Sequence, residues 1–189
     1  MILTLLTILQ TLFATIEGNT LQSDLKLTLQ QPQQQPITYI GHITMHGEQF
    51  VGEIMQMNIA YDGKTLYNYS DETNELTLST PTQPELYAAN PFLFAKAMAE
   101  ACTVTETPNG KSTRVTLIPQ DVTTGIKSII LNIATDAQLP YPISIVVSEE
   151  AQGGIQTTTL KFTNAAYINT PTDFTITAPD GAYVNDIRL

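Results

Sequence analysis

With 189 residues, 42% of them hydrophobic and 14% charged, the chain is long enough for one domain with a sizeable core. Its 18 acidic residues against 8 basic ones give a formal net charge of −10, which repels nucleic-acid phosphates and anionic headgroups and excludes both as electrostatic partners. The single cysteine, Cys102, has no partner for an intrachain disulfide, and no cysteine near the N-terminus is placed to carry a lipid.

The first segment, Met1 to Ile16, has two readings. It has the apolar length of a signal peptide, but the first basic residue is Lys26 and there is no clean small-x-small cleavage site. As a helix it makes better sense, because Thr4, Thr7, Thr11 and Thr15 form one polar stripe on an apolar cylinder. The helix is therefore expected, stopping at Gly18, with any export signal outside this sequence. No apolar run reaches the length of a membrane span, so no stable membrane insertion is expected.

Beyond Gly18 the period changes from helical to alternating. Asp24 to Gln30 places Leu25, Leu27 and Leu29 on one face of a strand, and the Gln- and Pro-rich tract 30–36 reads as a solvated loop. Ile37 to Met45 repeats the alternation with Ile37, Tyr39, Ile43 and Met45, as does Met55 to Tyr61 with Met55, Met57, Ile59 and Tyr61. Asp62-Gly63 signals a hairpin returning through Leu66 to Tyr69, with a further strand over Glu75 to Ser79. Pro81 and Pro84 then end the sheet. Asn90-Pro91 starts a helix carrying Phe92, Phe94, Ala97, Met98 and Ala101, with Asn as cap and Pro at the first helical position. Further strands are expected over Thr113–Ile118, Ser128–Ala134, Ile143–Val147, Thr157–Phe162 and Phe174–Thr177, separated by Pro-, Asn- and Gly-containing turns. With no repeat or linker, residues 1–189 read as a single α+β domain: one curved antiparallel sheet whose concave side is covered by helices.

Residues for catalysis are scarce. Cys102 follows an Ala-rich helix end and reads as a small buried hydrophobe rather than a nucleophile. His42 and His46 share a strand face but are four residues, about 13 Å, apart, too far for one metal ion. Asp71, Glu72 and Glu75 cluster at a turn, where charges are ordinarily solvated. No catalytic constellation emerges, so the chain is read as a non-enzyme without cofactor or metal. What stands out is a concentration of methionine and tyrosine: Met45, Met55 and Met57 on strand faces, near Tyr61, Tyr67 and Tyr69. Flexible thioethers suit a cavity for ligands of variable shape, although on these residues alone ordinary core filling is the more economical account.

Four stretches in order carry a resemblance. Tyr61-Asp62-Gly63-Lys64-Thr65-Leu66-Tyr67-Asn68-Tyr69 with Asn74-Glu75-Leu76-Thr77, then Pro81 to Leu86, then Asn90-Pro91-Phe92-Leu93, and finally Phe174 to Asp186 resemble the periplasmic lipoprotein carriers of the LolA family, nearest the variant of the Bacteroidota. The resemblance implies an incomplete antiparallel β-barrel, its apolar concave face closed by helices. It also implies a monomeric periplasmic chaperone that takes acylated lipoproteins from an inner-membrane releasing complex and delivers them to an outer-membrane acceptor, without a cofactor. The lipid-binding residues expected are Leu5, Leu9 and Phe13 from the opening helix, Met45, Phe50, Met55, Met57, Ile59 and Tyr61 from strands, and Phe92 and Phe94 from the middle helix. In His46-Gly47-Glu48-Gln49-Phe50, His46 stands where the family commonly has an arginine that fastens the helical lid, and histidine has a shorter reach and fewer donors. Two alternatives remain open. One is the outer-membrane acceptor of the same fold, which needs an N-terminal lipid-carrying cysteine that this sequence lacks. The other is an envelope β-module that binds protein or glycan and has a filled core.

Overall fold

A computed structural model describes residues 7–189. Helix α1 (Ile8–Gly18) starts where Thr7 and Gln10 cap one another, the Gln10 N–H donating to the Thr7 hydroxyl and the Thr7 N–H to the Gln10 side chain. Leu9, Leu12 and Ile16 are buried on one side of it. Thr15, expected on a polar surface stripe, is buried too, and its hydroxyl is satisfied by the Thr11 carbonyl at 2.7 Å. Thr4 lies outside the described residues.

The strands that follow are β1 (Thr20–Gln30), β2 (Ile37–His46), β3 (Gln49–Ile54), β4 (Met57–Tyr61), β5 (Leu66–Ser70) and β6 (Glu75–Ser79). Helices α2 (Gln83–Ala89) and α3 (Pro91–Ala99) come next. The chain then returns to strands: β7 (Cys102–Asn109), β8 (Ser112–Pro119), β9 (Ile126–Ala134), β10 (Tyr141–Ala151), β11 (Gly154–Ile168) and β12 (Tyr183–Asp186). All belong to one sheet in the order β12-β6-β5-β4-β3-β2-β1-β11-β10-β9-β8-β7. Every pairing is antiparallel except β12 with β6.

The sheet is curled and open. The carboxylate of Glu106, on edge strand β7, accepts the Ile8 and Leu9 N–H groups at 3.2 and 3.1 Å, at the start of α1. At the other end of the helix, the Gly47 N–H in the β2–β3 turn donates to the Ile16 carbonyl at 2.9 Å. An 11-residue helix is about 16 Å long. On a flat sheet the six strand spacings from β2 to β7 would span about 29 Å. The sheet must therefore wrap around the helix, and the main core fills the wrap: Leu9, Leu12 and Ile16 meet Val115, Leu117, Ile129, Leu131, Ile133 and Ile145.

Four elements depart from the sequence expectations. The sheet does not simply end at Pro81 and Pro84. Pro84 sits in the first turn of α2, where its missing N–H costs nothing, and Glu85 reaches back to the Thr82 N–H at 2.7 Å. Strand β3 was hidden because Gly52 interrupts its apolar alternation. Strand β7 is an edge strand exposed over most of its length, so it shows no alternation and tolerates Pro108; it begins at Cys102, so Ala101 falls in the turn beyond the end of α3 at Ala99. Phe174 to Thr177 forms no ladder, although Phe174, Ile176 and Ala178 are half-buried in alternation; the place beside β6 is taken instead by β12.

Candidate functional site

The α2–α3 junction roofs a cavity of about 360 Å³ on the concave face of the sheet, within the range of small-ligand sites. One wall is the inward face of β1, with Leu25, Leu27 and Leu29, beside Leu160 and Phe162 of β11. The opposite wall is Ile43 and Met45 of β2, Ile54 at the end of β3, and Ile59 of β4. The roof is Ala88, Ala89, Asn90 and Pro91. Met55 and Met57 stand at the mouth, 44% and 42% exposed.

The floor lies where β2 and β3 approach unusually closely. A Cβ on Gly41 would lie 2.1 Å from the Glu53 carbonyl oxygen, and one on Gly52 would lie 2.3 Å from the His42 carbonyl oxygen. Only glycine allows this approach, and Gly52 leaves its place in the cavity lining without a side chain. His42 and Glu53 contribute backbone here, since their exposed side chains alternate to the other side of the sheet from Ile43 and Gly52. That outer side carries a separate open polar groove with Asp24 and Asn164. No Lys or Arg lines the cavity. Its inward polar groups are neutral: Asn68, Asn90 and Thr158.

Of the residues expected to bind lipid, the structure brings Met45, Met55, Met57 and Ile59 to the cavity wall. Met55 arrives there from a turn rather than a strand. Met55 and Gln56 both have positive φ, 56° and 62°, and form the two-residue hairpin loop between Ile54 and Met57. The other expected residues lie in packed seams away from the wall, because large rings and the α1 leucine fill the space between helices. Leu9 is buried in the core under α1. Phe13 meets Phe92 edge to face at 5.2 Å, Phe94 meets Tyr87 at 6.1 Å, and Phe50 meets Tyr61 at 6.0 Å. Leu5 lies outside the described residues. His46 sits beside the C-terminal end of α1, its Nδ1 3.4 Å from the Thr20 hydroxyl. The cavity residues that sequence reasoning missed divide by signal: Leu25, Leu27 and Leu29 had a visible alternation, whereas nothing local distinguishes Ala88, Ala89 or Asn68.

Burial pushes the Cys102 thiol above its usual range, a direction that disfavours the thiolate nucleophilic chemistry needs. Among the described residues no three His, Cys, Asp or Glu side chains stand close enough together to hold a metal ion. No helix among them is long and apolar enough to cross a membrane.

An open, curled sheet with an apolar pocket under a helical roof defines an incomplete β-barrel with a covered concave face. The family model for the outer membrane lipoprotein carrier protein LolA matches residues 35–152, more than half of the chain, and the chain belongs to that family. A solved structure from Thermus thermophilus, described as an uncharacterized conserved protein, is 14% identical with a TM-score of 0.60, covering 95% of this chain and 96% of its own; it shares the fold. A LolA superfamily protein from Nitrosomonas europaea is 11% identical with a TM-score of 0.46, covering 87% of this chain and 93% of its own. LprF from Mycobacterium bovis is 13% identical with a TM-score of 0.45, covering 93% and 95%. No curated protein matches the chain.

Proposed function

We propose that this chain is a periplasmic chaperone that shelters the acyl chains of lipoproteins in the cavity under α2 and α3. It carries them from an inner-membrane releasing complex to an outer-membrane acceptor, without covalent chemistry. The observation that carries the reading is the cavity itself: about 360 Å³ of aliphatic and thioether wall with no cation in it. Such a wall takes up hydrocarbon and offers no counterion to a charged ligand. Membership of the LolA family supports the cargo and the compartment, and the net charge of −10 keeps the surface from adhering to anionic membranes while it is loaded.

The test is mass spectrometry of the protein purified from the periplasm of its native host. Acylated lipoprotein should co-purify with the parent and be lost from Ile59→Asp, which places a carboxylate in the wall. A parent that carries no acylated species when freshly isolated would overturn the assignment.

A further inference from the structure

Asn90 is 2% exposed and takes part in both the roof of the cavity and the start of α3. Its Oδ1 is committed to the helix, accepting the Phe92 N–H at 2.9 Å and the Leu93 N–H at 3.4 Å, which fixes the orientation of the amide. The Nδ2 end therefore has to be the donor. Its only acceptor among the described residues is Met45 Sδ, at 3.9 Å. A thioether is a weak acceptor, and an amide nitrogen carries two hydrogens. A buried donor so poorly matched is costly unless a better acceptor sometimes occupies the adjoining space, and that space is the cavity, of which both Asn90 and Met45 form part.

Asn68 is the second amide there. It lies opposite Ile59 in the β4–β5 ladder and so shares its inward face, half-buried at the same cavity. Two neutral amide donors in a wall that lacks Lys and Arg match neutral carbonyl oxygens. They do not compensate a carboxylate or a phosphate, whose desolvation needs a cation.

We infer that Asn90 and Asn68 form a carbonyl-reading subsite, which selects acyl chains in ester linkage over free fatty acids. The inference deepens the reading of the cavity as a lipid site and rests on it. Asn90 holds the ester carbonyl next to the roof while the hydrocarbon runs along β1 toward Met55 and Met57. The Met45 sulfur keeps the donor partly occupied when the cavity is empty.

The experiment is displacement of a fluorescent acyl probe by 1,2-dioctanoylglycerol and by its diether counterpart, 1,2-dioctylglycerol, which has the same chains but no carbonyl. The parent should prefer the ester by roughly two- to tenfold per carbonyl engaged, and octanoic acid should compete more weakly than either. Asn68→Leu should reduce the ratio of ester to diether affinity, and adding Asn90→Ser should bring that ratio to about one, whatever the change in overall affinity. Serine keeps a capping oxygen for α3, and Asn68→Leu tests the idea independently should the cap variant fold poorly. Equal displacement by ester and diether in the parent would overturn the subsite and leave the lipid cavity intact. An ester preference that survives in folded Asn68→Leu and folded Asn90→Ser would also overturn it. Failure of both lipids to displace the probe would overturn the cavity reading itself.

Discussion

A single methyl group at Gly52 should damage the fold of the site more than most larger changes. Gly52 faces Ile43 across the β2–β3 ladder. A Cβ there would lie 2.3 Å from the His42 carbonyl oxygen and 3.1 Å from the Ile43 Cα. Both are backbone atoms, so no rotamer change relieves the contact. Restoring an ordinary separation of roughly 3.5 Å requires the strands to part by about 1 Å, which stretches neighbouring ladder hydrogen bonds beyond useful length. One or two lost bonds at about 1 kcal/mol each, with overpacking of about 1–3 kcal/mol, oppose the 0.5–1 kcal/mol that alanine ordinarily gains over glycine in a strand. The net expectation for Gly52→Ala is a loss of about 2–3 kcal/mol. Urea unfolding followed by circular dichroism measures it: with a slope of about 1–3 kcal/mol per molar, the midpoint should fall by about 1 M or more. Gly18→Ala is the control, since a Cβ there meets nothing within 4 Å, and it should be neutral or stabilising. A Gly52→Ala midpoint at or above that of the parent would refute the close approach of β2 and β3.

Ile59→Asp should abolish binding of a fluorescent acyl probe, whereas Met55→Asp with Met57→Asp should only weaken it by roughly tenfold. The reason is that the rim residues are 44% and 42% exposed and a carboxylate there keeps much of its water; titration of each folded variant separates the two. Glu106→Ala removes the acceptor of the Ile8 and Leu9 N–H groups and should cost about 1–2 kcal/mol in chemical unfolding; no change in midpoint would show that the clamp is not formed in solution. At Asp62, desolvation pushes the carboxyl up, but the Thr65 and Lys64 N–H groups and the Tyr67 hydroxyl more than offset it and hold it below its ordinary 3.8. A lowered folded value means that this contribution is fully present above the unfolded value and is lost as pH falls through the folded one. Parent and Asp62→Asn should therefore differ in thermal midpoint at pH 6 and converge in strong acid, and a constant difference across that range would count against it.

The strand framework was legible wherever one face of a strand is buried and the other is wet. Leu25-Lys26-Leu27-Thr28-Leu29 is such a case, and the Asp62-Gly63 hairpin carried its own turn chemistry. Legibility failed where a strand lacks that asymmetry. Strand β7 is exposed on an edge, and β3 gives up an inward side chain at Gly52 so that β2 can approach. The same physics explains the mixed outcome for the site. Apolar alternation identifies which residues face inward, so Met45, Met57 and Ile59 could be chosen, but it cannot divide the interior into packed seam and open cavity. That division depends on what stands opposite. Phe50 meets the Tyr61 ring and Phe92 the Phe13 ring, while the cavity that Gly52 lines is roofed in part by the small residues Ala88 and Ala89. Small residues leave no periodic mark on a sequence.

A chaperone of the kind proposed must also let go of its ligand. Burying one sixteen-carbon chain gains about 12 kcal/mol gross, at about 0.8 kcal/mol per methylene, and a route out must exist that does not unfold the core. Helix α1 is a poor candidate for movement, because Glu106 clamps its start and the β2–β3 turn holds its end. Helix α3 buries Phe92, Leu93 and Ala95, whereas the seven-residue α2 buries Leu86 alone. Lifting α2 therefore exposes one fully buried leucine, at about 2 kcal/mol, separates half-buried Tyr87 from Phe94, and takes Ala88 and Ala89 away from the cavity roof. Leu86→Ala removes the leucine's share of that cost. It should speed dissociation of an acyl probe by up to about 30-fold, with about 1.4 kcal/mol per factor of ten; because Leu86 belongs to the buried core, the rate is compared on variant protein shown by urea unfolding to be folded under the assay conditions. Stopped-flow dissociation into excess unlabelled lipid measures the rate. If Leu86→Ala releases the probe at the parent rate while Phe92→Ala accelerates it, the opening element is α3, and the division of the roof into a fixed and a moving helix has to be reversed.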